Sequence, residues 1–400
     1  MTVYLIRRAI QMVLVTVLSA LLGYTLLYIA PGGPLLFLQQ MQNEGQRRVT
    51  EDDIARLKAR YELDLYLPIR FSRWLIGFPR GPVQLGDTHL LAPDTVVGCA
   101  IPGQVRLRYP DGSSEIIEEG CNRVVTLNDL AERRSSRGIL FGDFGLSQQI
   151  TRDRPISDLL MSRLPYTLQL MAVSTLLAIL IGVPIGIYSA VRQYSRFDYV
   201  ITGIAFVGSS MPTLFMGVMA ILVFSVLAKN AGLPYLPSGG AQGIRDYTIP
   251  LIGMVDAGSF LDRTLRFIMP VSVLTFFNIA GWSRFVRTSM LEALRQDYVR
   301  TARAKGVLER LVILKHSLRN ALIPFVTLLA GVLPSLVAGA AITESVFNWP
   351  GMGRLLVDAL GRSDYTVAMA ILFISTVLVL IGYLISDILY TIVDPRIRLS

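Results

Sequence analysis

Five stretches of this chain run for 22 residues or more without one charged side chain, and apolar residues dominate each of them. They are Ala9–Ala30 (22 residues), Leu164–Val191 (28), Tyr199–Ala228 (30), Asn320–Thr343 (24) and Tyr365–Ser386 (22). A helix needs about 20 mainly apolar residues to cross a bilayer. A sixth run, Phe267–Ser283, has 17, and snorkelling of Arg266 and Arg284 extends it. Backbone inside a membrane must satisfy its own hydrogen bonds, so runs of this length predict helices. Composition agrees: 17% of residues are charged, against about 25% in a soluble protein. The expected fold class is an all-α polytopic membrane protein with six transmembrane helices.

The first run exceeds the 7–15-residue core of a cleaved signal and stops at Ala30-Pro31-Gly32-Gly33-Pro34. It reads as a retained helix. Arg7 and Arg8 precede it, nine basic residues against three acids fill Arg284–Arg319, and Arg396 and Arg398 follow the last run. Lysine and arginine concentrate on the cytoplasmic side, so both termini and 284–319 are expected there. Residues 31–163 hold 17 basic and 17 acidic side chains. The net charge of +9 is thus explained by topology, and nucleic acid is not needed as a partner.

This topology divides the chain into a first helix (1–30), an extracytoplasmic segment (31–163) and a five-helix core (164–400) with its cytoplasmic loop at 284–319. Within the extracytoplasmic segment, TEDDIARLKARYEL from Thr50 has a capping threonine, early acids and apolar residues at helical spacing. Gln104–Tyr109 alternates apolar and polar residues, Pro110-Asp111-Gly112 supplies a turn, and Ser114–Glu119 reads as the return strand. A small β-containing insertion between the first two helices follows. Cys99 and Cys121 flank that hairpin on the side where disulfides persist. A bridge would close a loop of roughly 20 residues and add about 3 kcal/mol; two unpaired thiols are the alternative. With His89 distant, the pair makes a poor metal set. Helix-loosening residues are frequent in the runs: Gly182, Pro184 and Gly186, then Pro212, Pro270, Gly331 and Pro334. They are expected to interrupt the spans and favour a bundle that moves over a rigid anchor.

One polar stretch stands apart. DYVRTARAKGV, residues 297–307, lies between two of the apolar runs. Asp297 suits the positive end of a helix dipole, Arg303 and Lys305 suit its last turn, and Gly306 suits a left-handed stop. Tyr298, Ala302 and Gly306 recur at four-residue spacing and predict a narrow, small-residue face, with Arg300 and Arg303 on a neighbouring one. Such a helix can rest on anionic lipid, act as a connector, or enter a groove on a partner. The residues alone leave these three readings open.

DYVRTARAKGV followed by HSLRNALIP at 316–324 resembles the cytoplasmic coupling loop of ABC-importer permeases of the dipeptide/oligopeptide/nickel family. IAPGGP (29–34), FGDFGLS (141–147), RPISDLLMSRLPYTLQL (154–170), FNWPGMGRLL (347–356) and DPRIR (394–398) resemble the same family in the same order. The broader importer signature begins Glu-Ala-Ala where this chain has Arg300, Thr301 and Ala302, so Arg300 does not take the glutamate's role. Residues of about 82–137 look like an insertion that contacts a binding protein or stiffens the outer mouth.

The resemblance implies a transport subunit without an ATPase site of its own, and the chain has no G-x-x-x-x-G-K-[ST] phosphate loop. It implies a bacterial or archaeal plasma (inner) membrane location and a second homologous permease subunit forming a heterodimer. Two ABC ATPase subunits using ATP and Mg, and an extracytoplasmic solute-binding protein, complete the implied assembly, with no cofactor held by this chain. ATPase closure would push on Asp297, Tyr298, Arg300, Thr301, Ala302, Arg303, Ala304, Lys305 and Gly306. In that picture Ala302 and Gly306 permit close docking, the basic residues offer salt links, and Tyr298 anchors the helix to the bundle. Di- or oligopeptide is the expected cargo, with nickel or another small solute as the alternative. An ion-coupled secondary transporter is the rival class; those place ionisable groups inside the spans, and Asp387 is the nearest such residue. His89 and His316 lie on opposite sides of the expected membrane without an accompanying catalytic motif, which disfavours an enzyme.

Overall fold

The computed structural model describes residues 2–29, 66–77, 82–85, 88–91, 93–94, 96–108, 114–126, 128, 137–147, 149–151, 154–332 and 339–393. The expected helix from Thr50, IAPGGP beyond Ile29, and DPRIR lie outside the described residues. Five described helical stretches are long and apolar enough to cross a membrane: Ile6–Leu27, Ile156–Val191, Thr213–Asn230, Phe260–Leu294 and Tyr365–Ile385. The chain is a multi-pass, mainly helical membrane protein. The expected span at 320–343 is described only at 320–332 and 339–343.

The chain divides into two compact units. The larger comprises 1–16, 160–358 and 373–400. Its principal helices are α3 (Ile156–Val191, of which it holds Leu160 onward), α4 (Arg196–Ser210), α5 (Thr213–Asn230) and α6 (Phe260–Leu294). The helix α1 (Thr2–Ile29) begins in this unit, and α12 (Tyr365–Val393) ends in it.

One expectation about the breakers needs correction, and one holds. Gly182, Pro184 and Gly186 do not interrupt α3, and Pro270 lies inside α6; at about 1.5 Å per residue, α3 is about 54 Å long. Pro212, by contrast, does interrupt its span as expected, dividing Tyr199–Ala228 between α4 and α5. Pro212 has no N–H and forces the preceding residue out of helical space, and Met211 is extended (φ −82°, ψ 130°). The α5 helix then widens into a π-turn at Leu222–Leu227. An open apolar groove of about 800 Å³ beside it includes Met211, Met216, Met219, Phe224, Met269 and Phe276 in its lining.

Close helix contact explains the glycines better than interruption does. A Cβ at Gly186 of α3 would stand 2.5 Å from the Ser283 carbonyl oxygen of α6, and one at Gly208 of α4 would stand 2.9 Å from the Phe276 ring. Small residues let helices approach this way in membranes. Trp282, Val286, Met290 and Phe325 are buried beside this crossing. Ring centroids of Trp282 and Phe325 lie 5.8 Å apart, edge to face.

The smaller unit comprises 17–159 and 359–372. It holds α2 (Leu67–Ile76), the antiparallel pairs β1 (Val83–Leu85) with β2 (Thr88–Leu91) and β3 (Val96–Arg108) with β4 (Ser114–Thr126), and a 3-10 turn at Ile139–Phe141. In the β3–β4 register Cys99 faces Val124 and Cys121 faces Pro102; the cysteine side chains lie outside the described residues. Tyr24, Phe71 and Trp74 form an aromatic cluster with centroids 5.6–5.9 Å apart. FGDFGLS is tied to the start of α12: Ser147 Oγ (2.7 Å) and the Gln149 (2.9 Å) and Ile150 (3.1 Å) amides donate to Asp364 Oδ2. Burial opposes that charge, but these donors outweigh it and hold the Asp364 carboxyl below the ordinary carboxylate range.

Candidate coupling site

The segment after α6 folds as α7 (Asp297–Ala304), a glycine turn and α8 (309–321), followed by α9 (Ile323–Ala330). Asp297 occupies the first turn of α7, where a carboxylate complements the dipole. Its far end is a Schellman cap. Lys305 is the C-cap, and the Gly306 amide donates to Arg303 O (2.9 Å). The Val307 amide donates to Ala302 O (3.2 Å), and Gly306 has φ +72°. The apolar contact that accompanies such caps is present, because Val307 packs against Val299, Ala302 and Val312.

This packing corrects the expected faces of the helix. Val299 is fully buried and Ala302 is 7% exposed, so Ala302 faces its own chain and offers no docking surface. Tyr298 is 39% exposed and lies outside the Val299–Ala302 packing. The reason is the valine: successive helical residues are about 100° apart, and burying Val299 with Ala302 turns Tyr298 away. Lys305 lies beyond the last helical residue. The surface that α7 and its cap present consists of Asp297, Tyr298, Arg300, Thr301, Arg303, Ala304, Lys305 and Gly306, all exposed.

The turn is braced from outside. Arg303 donates through Nη2 and Nε to the two carboxylate oxygens of Glu309 (2.7 and 3.2 Å). This bond holds the Glu309 carboxyl below its ordinary range. Arg300 reaches Asp297 at 3.6 Å on the exposed face. Under the turn, α8 widens into a π-segment at Val312–Ser317, and the Ser317 hydroxyl donates to Val312 O across it (3.1 Å). Such π-turns often mark functional positions.

At the same end of α6 lies an ion pair that sequence reading missed. Ser195 caps α4 by accepting from the Asp198 amide. The Asp198 carboxylate then accepts from Ser189 Oγ and from the Tyr194 amide (3.0 Å). Arg287 of α6 completes the set, donating through Nε (2.7 Å) and Nη2 (2.9 Å). The Arg287 bond, against the opposing effect of burial, holds the Asp198 carboxyl well below the usual carboxylate range. The Ser-x-x-Asp cap is readable in the sequence; its partner 89 residues away is not. Thus α3, α4 and α6 are pinned at the end from which α7 emerges.

The sequence profile described as "Binding-protein-dependent transport system inner membrane component" matches residues 182–399, which include α7 and the elements that seat it. The chain belongs to this family. Curated members are similar across much of their length. The oligopeptide transport system permease protein AppB of Bacillus subtilis is 45% identical over 258 residues, 64% of this chain and 76% of that protein. The dipeptide transport system permease protein DppB of Escherichia coli K12 is 37% identical over 270 residues, 65% of this chain and 78% of that protein. Among solved structures, the inward-facing MetNI methionine ABC transporter matches with a TM-score of 0.45 and 20% identity. That match covers 59% of this chain and 96% of the other.

Proposed function

We propose that this chain is a membrane-spanning permease subunit of an ATP-driven importer that passes di- or oligopeptides from an extracytoplasmic binding protein to the cytoplasm. The likeness to oligopeptide and dipeptide permeases supports the cargo. The observation that carries the mechanism is α7: a charged helix exposed on one side, capped and packed by its own chain on the other. A push on that face passes through Val299 and Ala302 into α8 without deforming a loop. Six spans, cytoplasmic termini, an outside segment at 31–163, a second permease subunit and two ATPases complete the reading. Asp297, Arg300, Thr301, Ala304, Lys305 and Gly306 form the contact surface, and Arg303 sets the turn. Gly306 has open space around the position of a Cβ, so Gly306→Trp adds bulk at the contact at the cost of a positive φ, about 1–2 kcal/mol.

The test is reconstitution with the co-purifying ATPases and binding protein. Gly306→Trp is expected to assemble yet lose peptide uptake and cargo-stimulated hydrolysis together; undiminished uptake sinks the reading. Transport that stops when the ion gradient collapses, with ATP maintained, would favour the ion-coupled rival. Asp387 lends that rival little support: it is paired with Arg8 (2.8 Å) and accepts from Tyr4 Oη (3.0 Å), a helix-joining role.

A further inference from the structure

Glu344 lies on α10 (Ala341–Val346) and has no exposed surface. Thr167 Oγ1 of α3 donates to its Oε1 (2.9 Å), and the Arg354 amide donates to its Oε2 (2.9 Å). Thr167 in turn accepts from the Met352 amide (2.7 Å). The backbone closes tightly around the carboxylate: a Cβ at Gly351 would lie 2.4 Å from it, and one at Gly339 would lie 2.6 Å from Oε1. The Arg354 side chain turns elsewhere, to Asn348 O (3.0 Å) and Asp358 (3.7 Å).

Around this acid the chain makes a tight turn through Asn348, whose φ is +51°. Phe347, 1% exposed, packs against Met269 and Val273 of α6 and Met216 of α5, and its carbonyl accepts from the Gly240 amide (2.8 Å). Trp349 Nε1 donates to Tyr166 O (3.0 Å), and its ring lies 5.4 Å from that of Phe267. A buried acid returns little net stability, because desolvation offsets its bonds. What it contributes is direction: these donors are met in one seat only. That seat joins the turn to α3, α5, α6 and the 231–259 loop.

We propose that Glu344 is a positioning residue for transport, seating the Phe347–Trp349 turn as the plug that closes the outer end of the bundle between turnovers. The proposal rests on the importer reading. With the acid in place the turn is sealed against α3 and α6; without it, the turn leaves its seat and hydrolysis runs without cargo.

The experiment uses the reconstituted complex with its ATPases and binding protein, followed by amide hydrogen exchange and ATP hydrolysis. In Glu344→Ala the Trp349, Arg354 and Gly240 amides are expected to exchange about tenfold faster or more, as lost buried hydrogen bonds imply, while the amides of α6 keep their rates. Hydrolysis without cargo should rise severalfold and uptake should fall about tenfold. Glu344→Gln keeps the shape and one acceptor and should restore uptake to within about threefold of wild type. Accelerated exchange with normal uptake and normal cargo dependence would overturn the proposal, as would unchanged exchange. If Glu344→Ala does not assemble, Thr167→Val decides: it removes the bond to Glu344 and the one from the Met352 amide and must show the same pattern more weakly, and wild-type behaviour refutes the plug. Wild-type complex whose hydrolysis ignores cargo would instead refute the importer reading, and exchange would still test the seat.

Discussion

Replacing Asp198 by alanine tests whether the end of the bundle nearest α7 is held by one buried ion pair. The Asp198 side chain is 3% exposed and that of Arg287 is 23% exposed. Removing one member of a buried pair costs about 3–5 kcal/mol; because Arg287 retains some access to water, the lower end, about 3 kcal/mol, applies. At roughly 2–4 °C per kcal/mol for a domain of this size, Tm of the purified protein should fall by roughly 6–12 °C, read by intrinsic fluorescence. Arg287→Met should cost a similar amount, and the double variant should lie well short of the sum. Additive losses would mean that the two side chains do not act together, and the reasoning fails. The pH dependence has a definite sign. Asp198 has a depressed folded-state pKa, so its contribution is complete above the unfolded value of about 3.9. It fades as pH falls from there through the folded value. The difference in Tm between wild type and Asp198→Asn should therefore stay constant from about pH 5 to 8 and shrink only below about pH 4.

Two further substitutions test the other contacts. Gly186→Ala places a methyl against the Ser283 carbonyl and should cost about 1–3 kcal/mol by overpacking, whereas Gly203, with nothing within 4 Å of a Cβ, should accept alanine with a gain of up to about 1 kcal/mol; thermal unfolding of the two side by side separates contact from helix propensity. Arg303 and Glu309 are 45% and 55% exposed, so Arg303→Glu alone should change stability by about 1 kcal/mol or less yet weaken peptide-coupled hydrolysis, and the exchanged pair Arg303→Glu with Glu309→Arg should recover it. Equal hydrolysis in both variants would show that the brace plays no part in the turn.

Much of this architecture was legible because a bilayer leaves the chain few choices. Uncharged runs of helical length announced the apolar helices, and the excess of arginine located the polar segment between them. The motif DYVRTARAKGV also carried its own boundaries, since Asp297 and Gly306 act through local backbone chemistry. Its faces were not legible. Four-residue spacing made Tyr298, Ala302 and Gly306 look like one surface, but burial is decided by what lies opposite, and Val312 and Val307 lie opposite Val299. Proline was a true break at one position and a false one at two, for a related reason. At Pro184 and Pro270 the helix runs on; at Pro212, preceded by an extended Met211, it stops. Sequence alone does not say which neighbours will satisfy the freed backbone group.

The polar ends of α6 show what pattern reading misses most. Ser195-x-x-Asp198 and Ser259-x-x-Asp262 are the same local device, a serine accepting from the amide three residues on. In each the aspartate then binds an arginine of α6, Arg287 in one case and Arg266 in the other. Only the second pair has a local spacing (i, i+4). The first spans 89 residues, and nothing along the chain distinguishes Arg287 from the other arginines of its segment. A cap fixes where a helix begins, whereas the partner of its acid is fixed by packing. The α3–α6 crossing at Gly186 stands within a turn of Arg287, against Ser283 and Val286. Close approach of these two helices is therefore what brings Arg287 to Asp198. Widening the crossing with Gly186→Ala should weaken the ion pair as well as the packing, so Gly186→Ala and Asp198→Ala should combine with less than additive loss.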